Sequence, residues 1–124
     1  MSHRLEPRDG QPYLDPEQVA RRLQEEFSCC EVDADQGQDD VGDMLAKLIE
    51  LKAPQSIIDE VVAGRDRALR VTISDDTSSE SYLSFIVRPD DGPLIGYHSA
   101  QHEEASRSLV ERCAVVLGYE IILV

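Results

Sequence analysis

The sequence has little positive charge, few cysteines and no long apolar run, and each shortage excludes a class of protein. It has 12 basic residues against 25 acidic ones over 124 residues, a formal charge of −13 and a pI near 4.4. Nucleic acid binding takes most of its affinity from lysine and arginine, so binding to DNA or RNA is not expected. The longest aliphatic run, residues 121–124, is far shorter than the roughly 20 residues that span a bilayer. The N-terminal residues lack the apolar segment of a secretory signal, so we expect a soluble cytoplasmic protein without a membrane partner.

The three cysteines predict neither a disulfide framework nor a zinc site. Their number is odd, Cys29 and Cys30 are adjacent, and no CxxC pair occurs. Cys29 and Cys30 would point to opposite faces of a strand, and Cys113 falls on the apolar stripe of a helix, so we interpret all three as core residues or inert thiols. Because GxSxG, Walker and GxGxxG motifs are also missing, the sequence predicts no catalytic residue and no cofactor.

The first half of the chain is predicted to be mainly helical. Residues 1–13 show no apolar periodicity, and we interpret them as a flexible leader. Apolar residues four positions apart then indicate helices, and strict alternation indicates a strand. The predicted order is a helix that begins after Asp15, a short strand over 29–34, a loop over 35–40, and a helical pair over 40–63 that is broken at Pro54.

The second half predicts a β-meander, a helix and a last strand. Apolar residues alternate over 69–74 and again over 83–88, which is typical of a hairpin, with a loose loop over 75–80. Residues 89–93 have turn composition, so residues 94–97 are expected to return as the third strand of the meander. Ser99 is expected to cap a helix that ends at Gly118, and residues 119–124 then form a buried strand.

This order of elements predicts a single α+β domain over residues 14–124. We expect one sheet of four or five mostly antiparallel strands, packed by helices. If the strand at 29–34 and the last strand are both central, and the crossovers are right-handed, the arrangement is a ferredoxin-like split βαβ variant with an extra N-terminal helix. Such folds serve many functions, so function has to be argued from individual residues.

His98, His102 and Glu103 form the candidate metal site. A spacing of four brings both imidazoles to one helix face if the helix begins early enough, and Glu103 or Glu104 adds a carboxylate. Ser99 is better placed as the N-cap, however, and the order HxxxHEE differs from the HExxH of metalloproteases. An exposed strand-to-helix corner is the simpler interpretation. A divalent-metal-binding protein or metal-assisted enzyme at this corner is our alternative hypothesis.

An acidic segment over residues 31–43 offers a second set of oxygen ligands for Ca²⁺ or Mg²⁺. Its spacing is not that of an EF-hand loop, and the simpler interpretation is that negative charge stabilises a helix N-terminus. The carboxylates are those of Glu31, Asp33, Asp35, Asp39, Asp40 and Asp43.

A basic cluster, Arg65, Arg67 and Arg70, interrupts the acidic sequence. Guanidinium groups suit the bidentate recognition of an anion or of a partner's carboxylates. The simpler interpretation is surface pairing with nearby acids, which contributes little to stability. The acids nearest in sequence are Asp59, Glu60 and Asp66.

A good core, charge of one sign and the lack of a catalytic set favour a non-catalytic protein-binding or regulatory module. A negative field speeds encounter with positive partners, so we expect the partner to be another protein with a basic surface. Residues 121–124 are also apolar enough to pair two chains into a homodimer if the last strand is an exposed edge.

Overall fold

The chain begins with a strand that lies in the middle of a sheet. The computed structural model describes residues 2–75 and 78–123, and β1 (Ser2–Pro7) pairs antiparallel with both β5 (Leu94–Gly96) and β6 (Tyr119–Leu123). We call this the terminal sheet. Leu5 of β1 is fully buried. The prediction of a flexible leader is therefore wrong for residues 2–7, because a six-residue strand with one buried apolar residue gives no periodic signal.

The second sheet, which we call the hairpin sheet, has the order β2-β3-β4 with antiparallel pairing throughout. Its strands are β2 (Cys30–Asp33), β3 (Leu69–Asp75) and β4 (Ser78–Val87). The strand predicted at 29–34 and the β3–β4 hairpin are confirmed. The predicted loop over 75–80 is shorter than expected, since β3 reaches residue 75 and β4 starts at residue 78, and residues 76–77 lie outside the described residues.

Four helices occur in the described ranges: α1 (Pro16–Glu26), α2 (Ala34–Glu50), α3 (Gln55–Gly64) and α4 (Ala100–Leu117). The predicted ends of α4 are confirmed. The backbone N–H of His102 donates to Ser99 Oγ at 3.1 Å, and Gly118 adopts a left-handed φ of 70°. No helix of these ranges combines the length and the hydropathy needed to cross a membrane.

Helix α2 begins at Ala34, six residues before the predicted start at residue 40. The Asp33 carboxylate accepts a hydrogen bond from the backbone N–H of Gln36 at 2.9 Å, so Asp33 is the cap instead of Asp39 or Asp40. The predicted loop over 35–40 is helical even though it contains Gly37. That glycine allows α2 to lie against the start of β3, because a Cβ at this position would be 2.6 Å from the backbone oxygen of Ala68.

Two apolar clusters place helices on both faces of the hairpin sheet. The larger cluster joins β3 and β4 to α1, α4 and the terminal sheet, and it includes Leu5. The smaller cluster joins α2 and α3 to Ile86, whose side chain leaves β4 on the opposite face from its buried neighbours Phe85 and Val87. The terminal sheet and the hairpin sheet therefore share one core, and the α2–α3 pair covers the far side.

The α+β class is confirmed, but the strands are distributed differently from the expectation. β5 pairs with β1 instead of continuing the meander beside β4. β2 and β6 are edge strands of two separate sheets, so the ferredoxin-like split βαβ arrangement, which needs both strands central, is not formed. Within β6 only Tyr119 is buried. The positions of β5 and β6 are decided by pairing with β1, about ninety and about a hundred and twenty residues away, and local patterns carry no information about this pairing.

The open edge of β6 meets the requirement of the predicted homodimer. Ile121 and Leu123 are exposed on this edge strand. Pairing of two chains through it stays a prediction, which a monomeric mass by light scattering would contradict.

The connection between β4 and β5 passes very close to β1. The backbone N–H of Leu5 donates to the Pro93 oxygen at 3.0 Å. A Cβ at Gly92 would lie 2.2 Å from the Leu5 oxygen, so only glycine allows this approach. Gly92, interpreted from the sequence as a turn residue, also serves the packing of β1.

We expect Leu5→Ala to lower the free energy of unfolding by about 2–5 kcal/mol, because it leaves a cavity at a fully buried position. Leu123→Ala, in the neighbouring strand, is the matched control, since Leu123 is 63% exposed. The control should change the free energy of unfolding by less than about 0.5 kcal/mol. Urea unfolding followed by circular dichroism measures both, and an unchanged midpoint for Leu5→Ala would contradict the central position of β1.

Candidate functional site

All three histidines of the chain lie at one corner, where β1 and β5 approach the start of α4. The ring centroid of Tyr97 is 5.3 Å from that of His3 and 5.9 Å from that of His102. The rings of His98 and His102 are 5.4 Å apart. The rings of His98 and His102 are therefore adjacent although the helix begins after His98, and His3, which was expected to lie in a leader, joins them at the same corner.

The ring of His102 is fixed by β4. Its Nε2 lies 3.1 Å from the backbone oxygen of Tyr82, and a carbonyl oxygen only accepts, so Nε2 carries the proton. Its Nδ1 is enclosed and has no hydrogen-bond partner within the described residues. Ser106 Oγ donates to the same Tyr82 oxygen at 2.9 Å. With one nitrogen on a carbonyl and the other enclosed, His102 joins α4 to β4 and offers no nitrogen to a cleft.

Glu103 points away from the histidine pair. Its Oε1 lies 3.9 Å from His3 Nε2, and the side chain is 12% exposed. Successive helix residues differ by about 100° in direction, which sends Glu103 to the terminal sheet and His102 to β4. His98 precedes the helix and is exposed.

Metal binding at this corner gains no support from this geometry. The structure brings His98 and His102 together, but it directs Glu103 to His3. Across residues 2–75 and 78–123, no group of three or more His, Cys, Asp and Glu side chains is arranged to hold an ion.

Two cavities meet beside the histidine corner and form what we call the arginine groove. One, of about 360 Å³, is lined by eight residues that include Arg70, Ser84 and His98, and none of the eight is acidic. The other, of about 260 Å³, shares Arg70 and Ser84 with the first and adds Arg4 and Arg88. Arginines from β1, from β3 and from just after β4 therefore line one continuous depression, which no local sequence pattern predicted.

Each arginine of the groove is held in place by a carboxylate. Arg70 donates from Nη1 to Asp40 Oδ2 at 2.7 Å and from Nε to Ser84 Oγ at 2.8 Å. Arg4 Nη1 lies 3.1 Å from Asp91 Oδ1, and Arg88 binds the other oxygen of the same carboxylate. Three guanidinium groups thus share two carboxylates in these ion pairs, and Arg88 also lines a neighbouring cavity together with Glu60 and Asp90.

Tyr97 contributes a neutral phenol to the wall of the groove. Burial, with a smaller contribution from the negative charge of Glu103, raises the pKa of Tyr97 to about 12. The phenol therefore stays protonated at neutral pH and adds no negative charge beside Arg70.

The predicted basic cluster does not converge on one site. Arg65 Nε donates to the Gln38 oxygen at 3.1 Å, and Arg67 pairs with Asp15 at 2.8 Å. Arg70 pairs with Asp40 as described above. Arg67 and Arg70 form ion pairs with acids, as the simpler interpretation predicted, but these acids lie on distant elements and are not Asp59, Glu60 or Asp66. Arg65 instead binds a backbone oxygen.

The predicted acidic cluster is likewise dispersed. Asp33 caps α2, and Asp40 faces Arg70. Asp39 and Asp43 are exposed on α2. The carboxylates therefore stabilise the helix start, bind an arginine or remain in solvent, and they do not gather around a centre.

The three cysteines differ in exposure, and only Cys113 is a core residue, as its place on the apolar stripe predicted. Cys29 is exposed, Cys30 is half-buried and Cys113 is fully buried in the larger core cluster. Burial raises the pKa of the Cys30 thiol, and it raises the pKa of Cys113 to about 12. Cys113 is therefore a protonated core thiol at neutral pH.

We expect an alkylating reagent at about pH 8 to modify Cys29 first and to leave Cys113 unmodified in the folded protein. A pKa near 12 lowers the thiolate fraction of Cys113 about a thousandfold relative to an ordinary thiol, and burial adds to this protection. Mass spectrometry of the peptides measures the rates. The same reaction in guanidinium chloride is the control and should modify all three, whereas equal rates in the folded protein would contradict the assignment.

A second surface of interest is the pair α2–α3, residues 34–64, which we call the acidic hairpin. Aliphatic side chains are exposed on it: Leu51 is 77% exposed, Ile49 62%, Val62 54% and Ile57 44%. Helix α3 buries only Val61 among its described side chains. Packing of the acidic hairpin against the hairpin sheet therefore leaves several of its aliphatic side chains exposed to solvent.

Comparison of the chain with protein-family models, with curated proteins and with solved structures gave no match. Two surfaces of the molecule bear on its function, the arginine groove and the acidic hairpin.

Proposed function

We propose that this protein is a non-catalytic binding module and that the acidic hairpin receives another protein through a basic, amphipathic segment. The exposed aliphatic side chains at residues 49–62 carry this proposal. Apolar groups concentrated on one helical pair and rimmed by charge are characteristic of protein interaction sites. Half of the large hydrophobic residues exposed in the described ranges lie here: Ile49, Leu51, Ile57 and Val62.

The charge of the acidic hairpin supports a basic partner. Only Lys47 and Lys52 are basic in this segment, against seven acidic residues. An amphipathic helix of the partner would lay its apolar side on the aliphatic groups, while its lysines and arginines face the surrounding carboxylates. The acidic residues are Asp35, Asp39, Asp40, Asp43, Glu50, Asp59 and Glu60.

The state of the ionisable groups elsewhere supports a binding role over catalysis. His102 is bonded to a backbone oxygen, Glu103 lies against His3, and the thiol of Cys113 is buried and protonated. A general base or nucleophile needs an accessible group beside an activating partner. Side chains that serve packing and helix docking do not meet that requirement.

We expect a synthetic amphipathic peptide of leucine and lysine to bind at the acidic hairpin. In a two-dimensional NMR titration, the amide shifts that change should concentrate on residues 43–64. The double variant Leu51→Ser/Ile57→Ser should weaken binding by a factor of about 10 or more, because each aliphatic group contributes roughly 1.5–3 kcal/mol when fully buried. Raising the salt concentration should weaken binding of the wild type, since the carboxylates contribute through screened charge.

Two controls make this test specific. Val115→Ser removes an aliphatic side chain that is 78% exposed on α4, away from the acidic hairpin, and should leave the affinity unchanged. A peptide of leucine and glutamate should not bind. Shift changes scattered over the whole acidic surface, or equal binding of the two peptides, would show that only net charge is being detected and would overturn the proposal.

A further inference from the structure

The arginine groove reverses the charge of the protein that surrounds it. The chain has about twice as many acidic as basic residues, yet its larger cavity has no acidic residue in its lining. The adjoining cavity contributes Arg4 and Arg88 against the single carboxylate of Asp91. An acidic protein repels anions in general, so a local surplus of guanidinium groups marks the place where an anion is tolerated.

Arg70 occupies the centre of the groove and is already oriented. Asp40 and Ser84 hold two of its nitrogens, at 2.7 Å and 2.8 Å. Its remaining terminal nitrogen has no hydrogen-bond partner among the described residues, and the side chain is 35% exposed. A guanidinium that is fixed before binding loses little conformational freedom when it meets an anion.

We infer that the arginine groove binds a small molecule that carries a phosphate monoester, with the phosphate at Arg70 and Ser84. The lining of the larger cavity offers donors of several kinds: the guanidinium of Arg70, the hydroxyl groups of Ser84 and Ser2, and the imidazole of the exposed His98. A phosphate has three terminal oxygens and close to two negative charges, which matches such a set better than a carboxylate does.

The rest of the ligand has room along an aromatic wall. Tyr82, Tyr97 and His98 line the larger cavity, whose volume of about 360 Å³ falls within the range of sites for small molecules. The ring of Tyr82 packs against that of His102, which also lines this cavity, at a centroid distance of 4.8 Å. A planar ring attached to the phosphate could stack on these aromatic side chains. This site differs from the acidic hairpin in position and in the sign of its charge.

Three probes test the inference: adenosine monophosphate, inorganic phosphate and adenosine. We expect adenosine monophosphate to bind more tightly than inorganic phosphate, and adenosine to show no saturable binding by calorimetry. Amide shifts should change at residues 70, 84 and 96–98 in an NMR titration. Arg70→Gln should weaken binding of adenosine monophosphate at least about tenfold, because it removes a charged hydrogen bond.

Arg21→Gln is the matched control, because Arg21 is exposed on α1, outside the groove, and loses the same charge. It should leave the affinity within a factor of about two, as expected for a screened surface charge. His98→Ala, at an exposed position, tests the groove without disturbing the core and should weaken binding several-fold even if Arg70→Gln unfolds. The inference is overturned if no phosphate compound shifts the groove residues, if adenosine binds as well as its monophosphate, or if Arg21→Gln has the same effect as Arg70→Gln.

Discussion

The pairing of β1 with β5 and β6 is the constraint on which the rest of the structure depends. Within the described residues, β5 and β6 have no other hydrogen-bonded neighbour, so the terminal sheet exists only because the first residues of the chain lie between them. Leu5 joins this sheet to the shared core. The three-residue strand β5 would be too short to hold its place without such a partner.

The alternation of side chains along β1 also contributes to both the arginine groove and the histidine corner. Ser2 and Arg4 line the arginine groove, whereas His3 and Leu5 point to the other face, toward Glu103 and the core. One short strand thus supplies the histidine corner, the groove and the core from four successive positions. The positions of these side chains follow from the register of β1 against β5, in which Arg4 faces Leu94.

Charge in this protein is separated into regions of opposite sign. The acidic hairpin carries an excess of carboxylates beside exposed aliphatic groups, while the groove, which α2 borders at Met44, collects arginines. Asp40 stands between them, since it belongs to α2 and orients Arg70. A chain of net charge −13 therefore still presents one surface suited to a basic partner and another suited to a small anion.

The sequence by itself determined the elements whose signals are local. The caps Asp15 and Ser99, the stop at Gly118 and the alternation over β3 and β4 each act within a few residues, and the predicted helices and hairpin follow from them. The adjacency of His98 and His102 did not follow from such a signal, because His98 precedes the helix that Ser99 caps. The first turns of helix α2 were not predicted, because Gly37 looked like a loop residue. Its role is to allow close contact with Ala68, which lies far along the chain.

Only the tertiary structure decided which strands pair and where the arginines meet. β1 has too few apolar residues to be recognised, and its partners lie about ninety and a hundred and twenty residues away. Arg4, Arg70 and Arg88 come from separate strands and turns and share a groove only after the two sheets pack on one core. Local sequence fixes backbone conformation through short-range sterics and hydrogen bonds, whereas a site assembled from distant strands depends on which buried surfaces fit together.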